Sequence, residues 1–585
     1  MEVTRIFDIL PHYLEKYPNQ DCALSAKRNG EWIKISIQDY VETTNNLSYG
    51  FLKLGIKPGD KIGIISSNRP EWNMLDMATT QIGAISVPIY PTISQADYKY
   101  ILNHAEIKLI FIEGKELRLK IEPILPEVKS IEHIYTFINQ EVRPYFDQLV
   151  ELGKANPAPE KVKELSEKID KMDLATIIYT SGTTGNPKGV MLSHNNIVQQ
   201  VINLRDTPAK WSNRALSFLP LCHAYERMLV YLYQYLGMSV YYAESLATIA
   251  ENIKEVCPTM MTCVPRLLEK IYDKLYMSGN KLSFAQKIIY YWAFNLATKY
   301  QVEDRSAWYN FRHKIADKLI YSKWRAALGG NFDIVVSGGS AIQAHMAAFF
   351  SAIGMPVFEG YGLSETSPVI AVMNRHKGGR QFGTVGPNLN GVEIKIGANN
   401  EILCRGHNVM LGYYKDPELT AEIIDKDGWL HTGDTGILYE SGALKITGRL
   451  KNIFKTSFGK YINPQAIESK FEESGFIESM CVFGENKKFA AALIVPDFEF
   501  LKAWCKKHKI ELTDKEGMIH NKEILARISR EVKLINRNFG DWEQIKKYEL
   551  LTDDWHKMGF FTPTLKVKKN LVEEYYKEKV DKLFA

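Results

Sequence analysis

Along the first third of the chain, short apolar runs alternate with segments whose apolar residues recur at helical spacing. KIGIISS (61–67) reads as a strand, and the helical PEWNMLDMATTQIGA (70–84) follows it, opened by Asn68 as a cap and Pro70 at the first helical position. SVPIYPT (86–92), IKLIFIEG (107–114) and LATIIYT (174–180) supply further strands. This alternation predicts an α/β fold of parallel or mixed sheets covered by helices, a layout in which ligands gather at the carboxyl ends of strands.

The connecting segments divide the chain further. ELGKANPAPEKVKELSEKIDKMD (151–173) is polar and reads as a solvated connection, with a subdomain boundary near it. MLVYLYQYLGMSVYYA (228–243) is apolar but shorter than the roughly 20 residues that cross a bilayer. It is expected to form a buried helix and strand, beside an apolar pocket. Residues 281–328 form a helical excursion rich in aromatic and basic side chains, a mixture that also suits peripheral contact with a membrane. Beyond Gly448, a glycine- and lysine-rich stretch leads into the helical PQAIESKFEES and the strand-like ESMCVFGE and FAAALIVPD. The expected organisation is a large domain over 1–448, a hinge over 449–455, and a smaller α/β domain over 456–585.

Composition narrows the function. The 585 residues are 45% hydrophobic and 24% charged, ordinary for a globular protein, and the net charge of +5 is too small and too dispersed for a dedicated nucleic-acid binder. Seven cysteines lie scattered without CxxC spacing, which indicates neither a disulfide framework nor a zinc site. Glu2 and Asp8 stand where a secretion signal would be basic and then apolar, so a cytoplasmic location is expected.

YTSGTTGNPKGVMLSH (179–194) concentrates glycine, hydroxyl side chains and a lysine after a strand. Gly182, Gly185 and Gly189 let backbone N–H groups turn towards an anion, and Ser181, Thr183, Thr184 and Lys188 add donors and charge. By composition alone a flexible surface loop is an equal alternative. The spacing differs from that of a Walker loop, and GYGLSE (360–365) lacks the third glycine of a dinucleotide fingerprint.

This stretch resembles the signature of the AMP-forming acyl-CoA synthetases, the adenylate-forming enzymes that include luciferases and peptide-synthetase adenylation domains. SGGSA (337–341), EGYGLSETSP (359–368), GWLHTGD (428–434), TGRLKNIFK (447–455) and TPTLK (562–566) resemble the remaining family motifs in the family's order. LPLCHAYER (219–227), VPRLLEKIY (264–272) and the helical excursion resemble the branch that activates long-chain fatty acids.

The resemblance implies a large adenylate-forming domain and a mobile C-terminal domain, and it distributes roles. Thr180 to Gly185 and Lys188 would hold the β- and γ-phosphates of ATP. Tyr361 would lie against adenine, with Gly339, Ser340, Ala341, Glu359 and Gly360 completing the slot, and Ser364 would touch the α-phosphate. Glu365 would bind Mg2+, Asp434 and Arg449 the ribose, and Lys455 the nucleotide. Lys566 would be the catalytic lysine and Lys451 the hinge. Gly459 would line the coenzyme A channel, where a side chain would obstruct, and His223 would wall the acyl pocket. Each residue also has a plain alternative: core aromatic for Tyr361, turn cap for Asp434, core histidine for His223, solvated charge run for Lys566. The implied reaction joins a fatty acid to coenzyme A through acyl-AMP. Its rivals are an acyl-AMP ligase that serves a carrier protein, and a non-catalytic acyl or nucleotide binder.

Overall fold

The computed structural model describes residues 2–180, 186–245, 247–450, 453–511, 513–555, 557–561 and 567–585. Two compact units emerge. The first comprises residues 1–395, 403–432 and 438–445, and the second comprises 396–402, 433–437 and 446–585. The short segments 396–402 and 433–437, together with 446–448, which the sequence groups with the large domain, thus cluster with the second unit.

Two large mixed sheets dominate the first unit. One runs in the spatial order Gly412–Tyr413, Lys188–Ser193, Leu174–Thr180, Ile85–Ile89, Lys61–Ile65, Ile107–Ile112, His133–Thr136. Its last five strands are parallel, while Lys188–Ser193 and Gly412–Tyr413 add on antiparallel. The other sheet has a parallel centre of Val357–Tyr361, Ile334–Ser337, Met260–Cys263, Arg214–Ser217, Ser239–Tyr242 and Leu24–Arg28, with the antiparallel edges Ala371–Val372 and Glu31–Ile35. Central parallel strands are covered on both faces, which is why Leu109, Ile110, Phe111 and Ile112 form an unbroken, fully buried run.

The helix after Lys61–Ile65 spans Pro70–Gln81 with Pro70 at its first position, but Arg69 is its N-cap and Asn68 does not cap it. Asn68 instead ties two loops together: its amide donates to Leu219 O (2.7 Å) and Ser217 Oγ (3.2 Å), and its Oδ1 accepts from Leu221 N–H (2.9 Å). Proline at the first helical position moves the cap to residue 69, which leaves Asn68 for this longer-range role. MLVYLYQYLGMSVYYA forms the end of the helix Ala224–Tyr235 and the strand Ser239–Tyr242.

A buried charge cluster joins the two sheets' covering helices. Arg227 donates to Asp76 (Nη2 to Oδ1, 2.5 Å), Thr176 Oγ1 (2.7 Å) and the Tyr231 hydroxyl (2.9 Å), with both charged side chains almost wholly excluded from water. The polar segment around 151–173 contains the helices Phe146–Lys154 and Pro159–Lys168. Gly153 lies so close to the helix Ile37–Lys53 that a Cβ there would sit 1.7 Å from Asn46 O, so only glycine permits this crossing.

The second unit has its own cores. A three-stranded sheet orders Ile477–Phe483, Ala490–Pro496 and Ile545–Leu550, the first pair antiparallel and the second parallel. The helices Pro464–Phe471, Phe498–His508 and Lys522–Asn536 bury Ile467, Leu501 and Ile528 with Ile494. Across the whole chain, none of the described helices is long and apolar enough to cross a membrane.

Candidate active site

In the first unit, the hairpin Leu174–Thr180/Lys188–Ser193 sets Thr180 opposite Lys188 at the end where the connecting loop leaves and returns. Ser181, Gly182, Thr183, Thr184 and Gly185 lie outside the described residues, as do Lys451 and Lys566. The Lys188 ammonium stands 5.5 Å from the centroid of the Tyr413 ring, and the Tyr413 hydroxyl donates to Glu365 Oε1 at 2.7 Å. Tyr413 therefore links Lys188 to Glu365, two residues nearly two hundred positions apart. Backbone bonds fix the arrangement: Met410 N–H donates to Glu365 O, and Leu411 N–H to Met191 O, both at 2.9 Å. Tyr413 is a residue that sequence motifs do not single out. Its only signal is its place in GYYKDP, after a glycine and before a turn.

The second feature is an apolar cavity with about 710 Å³ of space between atoms, open solvent at its mouth included. Met228, Leu229 and Leu232 from the helix Ala224–Tyr235 meet Met260, Phe358 and Val372 there. His223, Gly339, Gly360 and Tyr361 line the same cavity, so four of the residues singled out from sequence converge on it. His223 is half-buried at the N-cap, and its Nδ1 accepts from Tyr225 N–H at 3.2 Å. An acceptor at Nδ1 places the proton of the neutral ring on Nε2.

Tyr225 has no assignment in the sequence motifs, yet it shapes this wall. Its hydroxyl donates to Val336 O at 3.0 Å, and a Cβ on Gly338 would come within 2.9 Å of its ring, so glycine lets the loop lie on the tyrosine. Gly339 follows with φ +82°, while Ser340 and Ala341 are exposed on the loop after Ile334–Ser337. Glu359 is buried on the strand Val357–Tyr361. Burial pushes its carboxyl up to about 8 against the opposing backbone N–H groups of Ile342 and Gly383. Burial thus favours its uncharged form, and its Oε1 has no hydrogen-bond partner among the described residues. Ser364 is buried in the short helical turn Ser364–Thr366, directly before Glu365.

The second unit carries the other described candidates. Asp434, buried on Leu430–Leu438, accepts from Arg449 Nε at 2.7 Å at the end of the strand Leu444–Arg449. The neighbouring Thr435 and Thr447 hydroxyls bond at 3.0 Å, and Asn463 donates to Thr447 O at 2.8 Å. Lys455 and Gly459 belong to the hairpin Phe454–Lys455/Tyr461–Ile462, with the Lys455 ammonium 4.7 Å from the Tyr461 ring centroid. Gly459 has φ +74°, and a Cβ there would meet no atom within 4 Å. The turn conformation, and no neighbour among the described residues, is what calls for glycine here.

Comparison with known proteins adds a second line of observation. The AMP-binding enzyme family matches residues 10–414, and the AMP-binding enzyme C-terminal domain matches residues 452–585. Fatty acyl-CoA synthetase A of Dictyostelium discoideum is 31% identical, with 96% of this chain and 87% of that protein covered. The long-chain-fatty-acid–CoA ligase FadD15 of Mycobacterium tuberculosis is 30% identical over 95% and 93% of the two chains. Human long-chain-fatty-acid–CoA ligase 1 is 29% identical over 100% and 87%. Among solved structures, the A domain of carboxylic acid reductase from Segniliparus rugosus, in complex with AMP and a carboxylic acid, superposes with a TM-score of 0.77 at 18% identity. That alignment covers 99% of this chain and 94% of the other, and at such identity it speaks to the fold alone.

Proposed function

From the premise that this chain belongs to the AMP-binding enzyme family, we propose that it is a long-chain fatty acid–CoA ligase that works through acyl-AMP. The observation that carries this reading is the apolar cavity whose wall passes from Met228, Leu229 and Leu232 to His223 and the Gly339, Gly360 and Tyr361 loops. A hydrocarbon chain suits the first set and a polar head group the second.

The chemistry needs little proton transfer at its start. A fatty acid, with a reference carboxyl pKa of about 4 to 5, is ionised at neutral pH and attacks the α-phosphorus of ATP. The bond to the β-phosphate oxygen breaks, and pyrophosphate leaves with its electron pair. What the protein supplies is alignment and positive charge. We assign Thr180 to Gly185 and Lys188 to the β- and γ-phosphates, Glu359, Gly360, Tyr361 and Gly339 to Ala341 to the base, and Ser364 to the α-phosphate. Asp434 and Arg449 take the ribose, with Lys455 near the nucleotide. Lys566 is assigned the bridge between carboxylate and α-phosphate. In the second step the thiol of coenzyme A attacks the acyl carbon, AMP departs, and the thiol proton passes to solvent. Lys451 is the proposed hinge and Gly459 the proposed lining for pantetheine.

Glu365 is a suitable magnesium ligand. Its half-buried carboxylate is oriented by Tyr413, and magnesium is commonly held by one or two carboxylates together with substrate phosphates. When bound, the ion would neutralise phosphate charge. A reducing compartment, the cytoplasm, suits seven cysteines that all remain free thiols.

The test is incubation with ATP, magnesium and fatty acids of graded length, with and without coenzyme A, following pyrophosphate, AMP and thioester. Pyrophosphate, AMP and acyl-CoA in equal amounts are expected. ADP as product would overturn the mechanism, and acyl-AMP that accumulates without thioester would favour delivery to a carrier protein.

A further inference from the structure

The helix Ala224–Tyr235 turns Tyr225, Met228, Leu229 and Leu232 to the apolar cavity. Glu226, in its first turn, is wholly buried and does not line that cavity. An acid so deep in the interior is unfavourable unless its carboxyl is hydrogen-bonded. Packing alone does not call for one, since an apolar pair of the same shape would fill the space without the cost of desolvation.

The surroundings of Glu226 are the carboxyl ends of neighbouring strands. Thr262, on Met260–Cys263, donates its hydroxyl to Glu226 Oε2. The hydroxyl of Ser217, the last residue of Arg214–Ser217, faces the same carboxyl. Ser217 Oγ also accepts from Asn68, which clamps Leu219 and Leu221 in the loop leading to His223. Burial pushes the Glu226 carboxyl up to about 7 against the pull of the two hydroxyls, so its uncharged form is within reach at neutral pH. Glu226 Oε1 has no hydrogen-bond partner among the described residues.

The segment held in this way carries the polar end of the cavity wall. His223 is the N-cap of the helix, and Ala224, Tyr225 and Glu226 are its first three residues. Tyr225 is pinned through its hydroxyl to Val336 O on Ile334–Ser337, and Glu226 through its carboxyl to Thr262 on the adjacent parallel strand. A turn tied to two adjacent strands resists both rotation about the helix axis and sliding along it.

We propose that Glu226 is a positioning residue for acyl adenylation. By accepting from Thr262 it fixes the first turn of the helix, and so sets His223 and Tyr225 at the cavity wall against the acyl head group without touching substrate itself. The inference rests on the coenzyme A ligase reading.

Pyrophosphate release at saturating ATP with graded concentrations of a long-chain fatty acid tests it, beside thermal unfolding of each variant. Glu226→Gln keeps the acceptor for Thr262 and should retain kcat within about twofold. Glu226→Leu should lower kcat about 10- to 100-fold, the scale of misplacing reacting groups by about an ångström, with the KM for ATP unchanged. Thr262→Val removes only the donor and should lower kcat in the same direction, which keeps the test open if Glu226→Leu does not fold. Joined in one chain, the two substitutions should cost little more than Glu226→Leu alone, because they break one and the same bond. Thermal stability lost in Glu226→Leu or Thr262→Val with kcat unchanged would overturn the proposal, as would Glu226→Gln as slow as Glu226→Leu. An unaltered chain that released no pyrophosphate with any fatty acid would overturn the ligase reading, and the proposal with it.

Discussion

Tyr413 shows how much one hydroxyl can set. It fixes one oxygen of the Glu365 carboxylate while its ring receives Lys188, so a change at its tip leaves the lysine contact in place. Tyr413→Phe is expected to raise the magnesium concentration for half-maximal pyrophosphate release about tenfold or more, the usual scale for losing a residue that orients a metal ligand. Magnesium titration at saturating ATP reads this directly. Lys566→Ala should slow pyrophosphate release on the order of 10²- to 10³-fold, yet leave thioester formation from supplied acyl-AMP largely intact. His194 concerns stability. Its Nδ1 accepts from Ile6 N–H at 3.2 Å, and burial holds its pKa down at about 3. Between pH 6.5 and 3 the unfolded chain therefore binds a proton that the folded chain does not, and stability falls as pH falls through that window. In His194→Asn, which keeps an acceptor for Ile6, acid unfolding should lose up to about 1.4 kcal/mol per pH unit of that dependence.

Among elements, legibility in the sequence follows burial geometry. Ile107–Ile112 and Leu174–Thr180 are readable because a strand covered on both faces must be a continuous apolar run. Ile545–Leu550 is not singled out by such a reading, because two lysines interrupt its apolar pattern at the edge of its sheet. The glycine-rich loop and the GYGLSE segment announce themselves through residues that chemistry requires locally. Asn68, Tyr225 and Tyr413 act on partners far along the chain, and no local spacing encodes such a partner. Arg227 is the clearest instance, since its carboxylate lies 151 residues away on the helix Pro70–Gln81. Arg227→Met should destabilise the fold by about 3 to 5 kcal/mol, because Asp76 is left charged and buried. Arg227→Met with Asp76→Leu should recover much of that loss in denaturant titrations.

The whole molecule contains two units whose interiors are built separately, with Ile494, Phe471 and Leu501 at the centre of the second. Scanning calorimetry is expected to resolve two transitions. Arg227→Met should lower one, and Ile494→Ala, worth about 2 to 5 kcal/mol, the other. A single transition shifted by both substitutions would contradict this independence.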